Sequence, residues 1–386
     1  MSKVASITRA GGLIVNPQHA TPSTTQYARG YISEGAVVTD NLVLWLDPAD
    51  YASFPGERSL AGAFTDYGSN QVHYDIVGDD GVILLGTSTS YVGRFSSNIA
   101  SSGDHTVAFD YWSDNDSVNF YIDNDGVDNN EFNTTITANK KKATYSQTQN
   151  MSTTGSSTMY FKNNVTGSKV YVSNFRFFKD GTAWNDLSGN GANLTFANAV
   201  PFDVDYGGSF NFTTASHYAP APTEVENLKG DITMETWCEQ YSRNGPHQTI
   251  ICTDSSYRRG MKLMSAYHSY GGAFWVADGS GSSGDNHLDT AGGTLENTGV
   301  FHLVATRNTS TGAIKIYLNG ELSASTTHIT GDVSTATNNG YIGREYHSGG
   351  SYGLKADVYL IRVYNKELSA TEVFQNFNVH RTRFGL

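Results

Sequence analysis

Hydrophobic and polar positions alternate with a period of two along most of this chain, and that alternation predicts strands. In 42–46, Leu42, Leu44 and Leu46 point one way and Val43 and Trp45 the other, so both faces are expected to be covered. Similar runs occupy 104–112, 117–122, 143–147, 158–161, 169–178 and 356–364. Asn319-Gly320 predicts a tight hairpin, because glycine accepts the positive φ such a turn needs. The period changes near the end of the chain. Ser369-Ala-Thr-Glu372 has the form of a capping box, and Val373, Phe374 and Phe377 follow at helical spacing, so one short amphipathic helix is expected there.

Composition agrees with an all-β chain. Of 386 residues, 40 are glycine, 23 tyrosine and 19 phenylalanine, which suits many strands joined by tight turns. The length allows two or three domains. A net charge of −12 argues against nucleic acid and anionic membranes as partners, and it leaves neutral glycans unaffected. Two cysteines, Cys238 and Cys252, exclude a disulfide framework; they read as small buried thiols, with a single bridge as the alternative. No apolar signal-peptide core opens the sequence and no run is long enough to span a bilayer, so synthesis in a cytoplasm without membrane insertion is expected.

The segment 361–372, Ile-Arg-Val-Tyr-Asn-Lys-Glu-Leu-Ser-Ala-Thr-Glu, resembles the closing segment of concanavalin-A-like jelly-roll domains of the laminin-G-like type. The continuation through Gln375-Asn-Phe-Asn378 and Arg383-Phe-Gly385 resembles the ending of such domains in virion proteins of tailed bacteriophages. The runs at 207–212, 231–237 (with Trp237 as a core anchor), 301–306, 314–320 and 341–344 resemble further strands of that family, in the right order. In the phage domains a strand like 41–47 and a loop like 48–56 lead directly into a segment that here stands at 184–194, Trp-Asn-Asp-Leu-Ser-Gly-Asn-Gly-Ala-Asn-Leu. One motif is thus split by the length of an ordinary domain, and surface loops tolerate such insertions.

The expected fold is therefore all-β, with two β-sandwich jelly rolls. Residues 36–56 plus 182–386 form a discontinuous laminin-G-like sandwich, and 57–181 form an inserted jelly roll similar to carbohydrate-binding modules. Residues 1–35, broken by Gly11-Gly12, Pro17 and Pro22, read by composition as a disordered tail or, as the resemblance implies, as an extended arm whose apolar Val4, Ile7 and Leu13–Val15 suit a partner surface better than solvent.

Candidate chemistry is sparse. Gly349-Gly-Ser-Tyr-Gly353 matches the string of a nucleophile elbow, but that motif needs a strand before it and a helix after, and here a strand follows. No paired-carboxylate string of a glycanase is present; Glu235 and Glu239 flank Trp237 without further company. Zinc spacings are absent. Asp123, Asp125 and Asp128 in an acidic turn are the candidate ligands for a Ca2+ ion, with an ordinary Asn/Asp turn as the plainer reading; the loop 278–289 with His287 is a weaker one. Lys140–Lys142 reads as a solvated turn. Glycan contact is what the resemblance implies, and sugars present C–H faces to aromatic rings and hydroxyls to polar side chains. Tyr267, His268, Tyr270, Trp275, Tyr346 and His347 are the candidate glycan-binding residues.

The resemblance implies a non-enzymatic virion surface protein, in capsid decoration or a fibre, with weak adhesion to host surface polysaccharide. Other virion proteins are the expected partners of 1–35, and a homo-oligomer such as a trimer is expected. The alternatives are a glycanase on the same fold and a structural cement protein without ligand.

Overall fold

The structure, a computed structural model, describes residues 8–9, 12–13, 36–50, 53, 74–77, 81–85, 94–99, 103–126, 134–151, 155–163, 165–179, 181–203, 205–242, 245–255, 259–268, 271–278, 287–291, 293, 295–333, 340–347 and 350–386. The chain divides into two compact units, 1–54 with 181–386, and 55–180. The architecture is all-β in both.

In chain order, Thr8–Arg9 (β1) pairs with Gly12–Leu13 (β2); the rest of the expected arm lies outside the described residues. Leu42–Leu46 (β3) belongs to the first unit. The second unit holds Tyr74–Val77 (β4), Gly81–Leu85 (β5), Arg94–Ile99 (β6), Gly103–Ser113 (β7), Val118–Gly126 (β8), Thr134–Ala138 (β9), Ala143–Met151 (β10), Gly155–Asn163 (β11) and Lys169–Lys179 (β12). They form a five-stranded sheet, β10-β7-β12-β5-β4, and a four-stranded one, β6-β11-β8-β9. Phe109 on the first packs on Phe120 and Phe161 of the second, with ring centroids 6.2 and 5.5 Å apart, so the sheets face each other over an aromatic core. The acidic segment expected to turn at 123–126 is instead the end of β8, where Asp123 and Asp125 stand opposite Tyr160 and Thr158 of β11. Pairing with β11 keeps the ladder going through residues whose composition reads as a turn.

The first unit resumes with Gly181–Trp184 (β13), Leu194–Val200 (β14), Phe202–Asp203 (β15), Ser209–Phe212 (β16), Ala219–Pro220 (β17), the one-turn helix Thr223–Glu226 (α1), Ile232–Gln240 (β18), His247–Cys252 (β19), Arg259–Tyr267 (β20), Ala273–Asp278 (β21) and His287–Asp289 (β22). Phe301–Arg307 (β23), Ala313–Leu318 (β24), Glu321–Thr327 (β25), Tyr341–Ile342 (β26), Arg344–His347 (β27), Gly350–Gly353 (β28), Ala356–Tyr364 (β29) and the helix Ala370–His380 (α2) complete it. One sheet runs β15-β16-β29-β18-β23-β24-β25, with β3 also on β29; the other runs β17-β26-β19-β20-β21-β22. The sheets pack closely: a Cβ on Gly272, beside β21, would lie 2.8 Å from the Leu303 side chain on β23. The β24–β25 hairpin turns on Asn319 and Gly320, at φ 50° and 82°, the paired positive values of a tight two-residue turn.

Strand β3 shows what the polar residues of the split motif at 184–194 do. One edge of β3 pairs with β29. The other edge is answered by side chains of the loop after β13. Asp186 Oδ1 accepts from Trp45 N at 2.9 Å, Ser188 Oγ donates to Val43 O at 3.0 Å, and Asn190 Nδ2 donates to Leu42 O at 2.9 Å. Asp186 also accepts from Ser188 N and Ala192 N, which fixes the loop itself.

The outer face of the larger sheet is closed by α2. Ser369 and Glu372 make the expected capping box. Trp237 is fully buried and stacks on Phe377 and Phe384, with centroids 5.6 and 4.5 Å away. Beside this apolar contact lies a buried polar network. Glu235 Oε1 accepts from Arg362 at 2.8 Å and from His302 Nε2 at 3.1 Å; Glu235 Oε2 accepts from Asn376 Nδ2 at 2.8 Å. Asn376 Oδ1 in turn accepts from Val38 N at 2.9 Å, and Arg362 donates to His380 Nε2. The Arg383 guanidinium holds both oxygens of Asp47 and the carbonyls of Tyr206 and Gly208. Cys238 and Cys252 are free, buried, and on strands of different sheets.

Burial alone would raise the Glu235 pKa, but Arg362 and His302 outweigh it and hold the carboxyl below its ordinary 4.5. Burial, then the charges of Arg362 and Arg383, push His380 well below 6.5. Both shifts have one sign of consequence. The unfolded chain takes up a proton on His380 as pH falls below 6.5, and on Glu235 below 4.5, before the folded chain does. The melting temperature is therefore expected to fall as pH drops below 6.5 and more steeply below 4.5, in a thermal melt series. Glu235→Gln strands the Arg362 charge and is expected to lower stability by about 3–5 kcal/mol at pH 7. Asp186→Ala is expected to lower it by about 2–3 kcal/mol in denaturant titration, since several amides lose a charged acceptor.

Candidate functional site

The smaller sheet gathers aromatic and imidazole side chains on one face. In the ladders, His247 stands opposite Tyr267, Lys262 opposite Trp275, and Trp275 opposite His287, so β19 to β22 each contribute to one surface. A register shift between the pairs Gln248–Ala266 and Thr249–Met264 re-aims β20, which puts Tyr267 in one cluster with Met264 and Trp275. Tyr267 is the centre. Its ring centroid lies 5.0 Å from His247, 4.5 Å from His268, 5.7 Å from Trp275 and 4.5 Å from His287. His287 stacks parallel on Trp275 at 5.6 Å, and Tyr352 of β28 stacks on His247 at 5.3 Å. Tyr267 and Trp275 form the buried floor; His268 is exposed, and His287, Asp289 and Tyr352 are half-buried.

A buried charge network underpins this floor. Glu345, at the start of β27, accepts from Thr249 Oγ1 and Lys262 Nζ, each at 3.0 Å on Oε2, while Oε1 takes His247 Nδ1. Lys262 and Glu345 are 2% and 1% exposed, so the pair exists only because each neutralises the other. Burial would raise the Glu345 pKa, but Lys262 and His247 bring it down to about 2. The carboxylate is therefore ionised across the working pH range, and it fixes His247 through Nδ1. His268 sits at φ 50°, a left-handed conformation that histidine tolerates better than most residues, with its amide bonded to Pro246 O. Burial, and then the neighbouring His247 and His287, lower its pKa below 6.5.

Of the residues expected to contact glycan, Tyr267, His268 and Trp275 meet in this patch. Tyr346 and His347 follow Glu345 on β27, opposite Ser351 and Gly350 of β28; their side chains, like Tyr270, lie outside the described residues. Sequence alone does not mark His247, Lys262 or Tyr352 as site residues, and it places His287 and Asp289 only in an acidic loop. A signal existed for Glu345, which opens the string Glu345-Tyr-His347, but its partners stand 83 and 98 residues away. The side chains of Asp123 and Asp125, and the whole of Asp128, also lie outside the described residues. Among the described residues no group of three or more His, Cys, Asp or Glu is arranged to hold a metal ion. Ser351 lies in the β27–β28 hairpin, and the next element is strand β29, so the nucleophile-elbow setting is missing.

Residues 212–374 match the family model described as the concanavalin A-like lectin/glucanases superfamily. That stretch is a laminin-G-like jelly-roll domain, and it holds the whole aromatic patch. Among solved structures, the binding domain of botulinum neurotoxin DC in complex with rat synaptotagmin II is 15% identical, with a TM-score of 0.38 over 50% of this chain and 48% of that one. The binding domain of Paraclostridial Mosquitocidal Protein 1 is 14% identical, with a TM-score of 0.40 over 50% and 49%. The chain thus spans about half the length of the solved structures it matches. No curated protein matches it.

Lys262→Met leaves Glu345 buried beside a lone imidazole. It is expected to lower stability by about 3 kcal/mol and to raise the pH at which acid unfolding begins, read by circular dichroism across a pH series.

Proposed function

We propose that this protein is a non-enzymatic, lectin-like protein of a tailed-phage virion, and that its aromatic–imidazole patch binds host surface polysaccharide. The observation that carries the binding reading is the Tyr267 cluster: a Trp, two Tyr and three His gathered in one patch, with exposed and half-buried members at its rim. Such rings meet the C–H faces of a sugar, and imidazoles and carboxylates meet its hydroxyls. Weak sites of this kind gain avidity from repetition on a particle.

A glycanase reading is less well supported. Hydrolysis by two carboxylates needs one of them protonated near neutral pH. Glu345, the carboxylate at the floor, has a pKa of about 2 and both oxygens engaged, so it suits the role of a positioning residue rather than an acid.

The virion setting is supported by the resemblance of 361–385 to phage domain endings. In that setting residues 1–35 attach the protein to other virion proteins, and the protein assembles as a homo-oligomer such as a trimer.

The purified full chain is expected to bind host envelope polysaccharide on a glycan array, with Tyr352→Ala and His268→Ala each reducing the signal at least about tenfold at unchanged melting temperature. Absence of binding, or binding indifferent to both changes, would overturn the adhesive reading. Released oligosaccharides after incubation would favour the glycanase instead. Deleting residues 1–35 is expected to abolish incorporation into particles, read by mass spectrometry of purified virions.

A further inference from the structure

His380, in the last turn of α2, is fully buried. Its Nε2 meets the Arg362 guanidinium, which donates to it. A guanidinium has no acceptor to offer, so Nε2 carries no proton while the helix is docked. Protonation there sets a donor against a donor and a cation against a cation, away from water.

The groups around His380 oppose that second charge. Arg362 comes from β29. Arg383, just beyond α2, is engaged with Asp47 and with the carbonyls of Tyr206 and Gly208. His302, from β23, lies on Glu235. Glu235, from β18, is the carboxylate of the network, and its oxygens already accept from Arg362, His302 and Asn376. Burial first, then Arg362, Arg383 and His302, lower the His380 pKa well below 6.5. The helix is held by side chains: Asn376 to Glu235 and Tyr364, Gln375 to the Ala36 carbonyl, and Phe377 with Phe384 on Trp237. It takes no part in a strand ladder, so it can leave without one being broken.

We infer that His380 is a proton-operated latch: one proton on its ring releases residues 370–386 from the larger sheet and uncovers Trp237 while the strands stay paired. The sign follows from where the proton binds. A released His380 takes it up near the ordinary 6.5, and the docked one only well below that. Docking is therefore at full strength above pH 6.5 and weakens about tenfold for each unit below it, as one proton per opening requires. Glu235 is held ionised to below 4.5, so it adds to the loss only below that pH. Acid thus acts first on one element. The latch lies on the larger sheet and is independent of what the aromatic patch binds.

The test is hydrogen–deuterium exchange of the full chain, read by mass spectrometry on peptides from 370–386 and from β23, between pH 7 and pH 4.5 and corrected for intrinsic rates. At each pH the 370–386 peptides are expected to open at least about tenfold more often than β23, and their opening should grow about tenfold per pH unit below 6.5. His380→Gln keeps an oxygen to accept from Arg362 and does not titrate, so it should abolish that slope while 370–386 stays protected at pH 7. Exchange of 370–386 in step with β23 overturns the inference, because the helix then leaves only when the sandwich unfolds. So does opening that ignores pH, or a slope that persists in His380→Gln. If that variant fails to dock its helix, seen as lost protection of 370–386 at pH 7, the wild-type comparison of 370–386 with β23 decides.

Discussion

The Glu235–Arg362 pair is the constraint around which the larger sheet is arranged. Both residues lie on central strands and are fully buried. A charge pair in that position is tolerated only when its remaining hydrogen-bonding capacity is met. His302 comes from β23, Asn376 and His380 come from α2, and Asn376 reaches on to the backbone of Val38. The Trp45 ring lies over the guanidinium, 5.0 Å from Cζ. The helix is therefore not an appendage. Without it the sheet would hold a carboxylate and a guanidinium with half their partners missing, and Trp237 would lose the stacking of Phe377 and Phe384.

The smaller sheet repeats this logic beneath the candidate site. Lys262, Thr249, His247 and Glu345 tie β19, β20 and β27 together below the rings. Groups carried on strands and locked from beneath are placed more exactly than groups on loops. The rim residues His268, His287, Asp289 and Tyr352 are thereby presented on a floor that does not need to move.

Local signals in the sequence translated well into structure. The capping box at Ser369, the Asn319-Gly320 turn, the anchor Trp237 and the alternation through 356–364 each depend on neighbours a few residues away. The segment at 184–194 was legible as the partner of 41–47 through its resemblance, although the reason for its Asp, Ser and Asn became clear only when they were seen answering the free edge of β3. The site was half legible. Aromatic residues advertise themselves, so Tyr267, His268 and Trp275 stood out. Lys262 and Glu345 did not, because a charged residue in a strand reads as solvent-facing until its distant partner is known. The end of β8 failed in the opposite sense: Asp123 to Gly126 has turn composition, yet pairing with β11 carries it as strand.

The wide separation of the pieces that close the first unit bears on how the protein is made. Asp47 and Arg383 form a buried ion pair although 336 residues separate them. At a ribosomal rate of about 5–20 residues per second, the segment around β3 waits roughly 20–70 s for its partners to be synthesised. Over that interval Leu44, Trp45 and Leu46 have no sheet to join, whereas the whole of 55–180 emerges early enough to complete its own sandwich. The guest module thus has time to fold before its host, and its folding shortens the loop that the host must close.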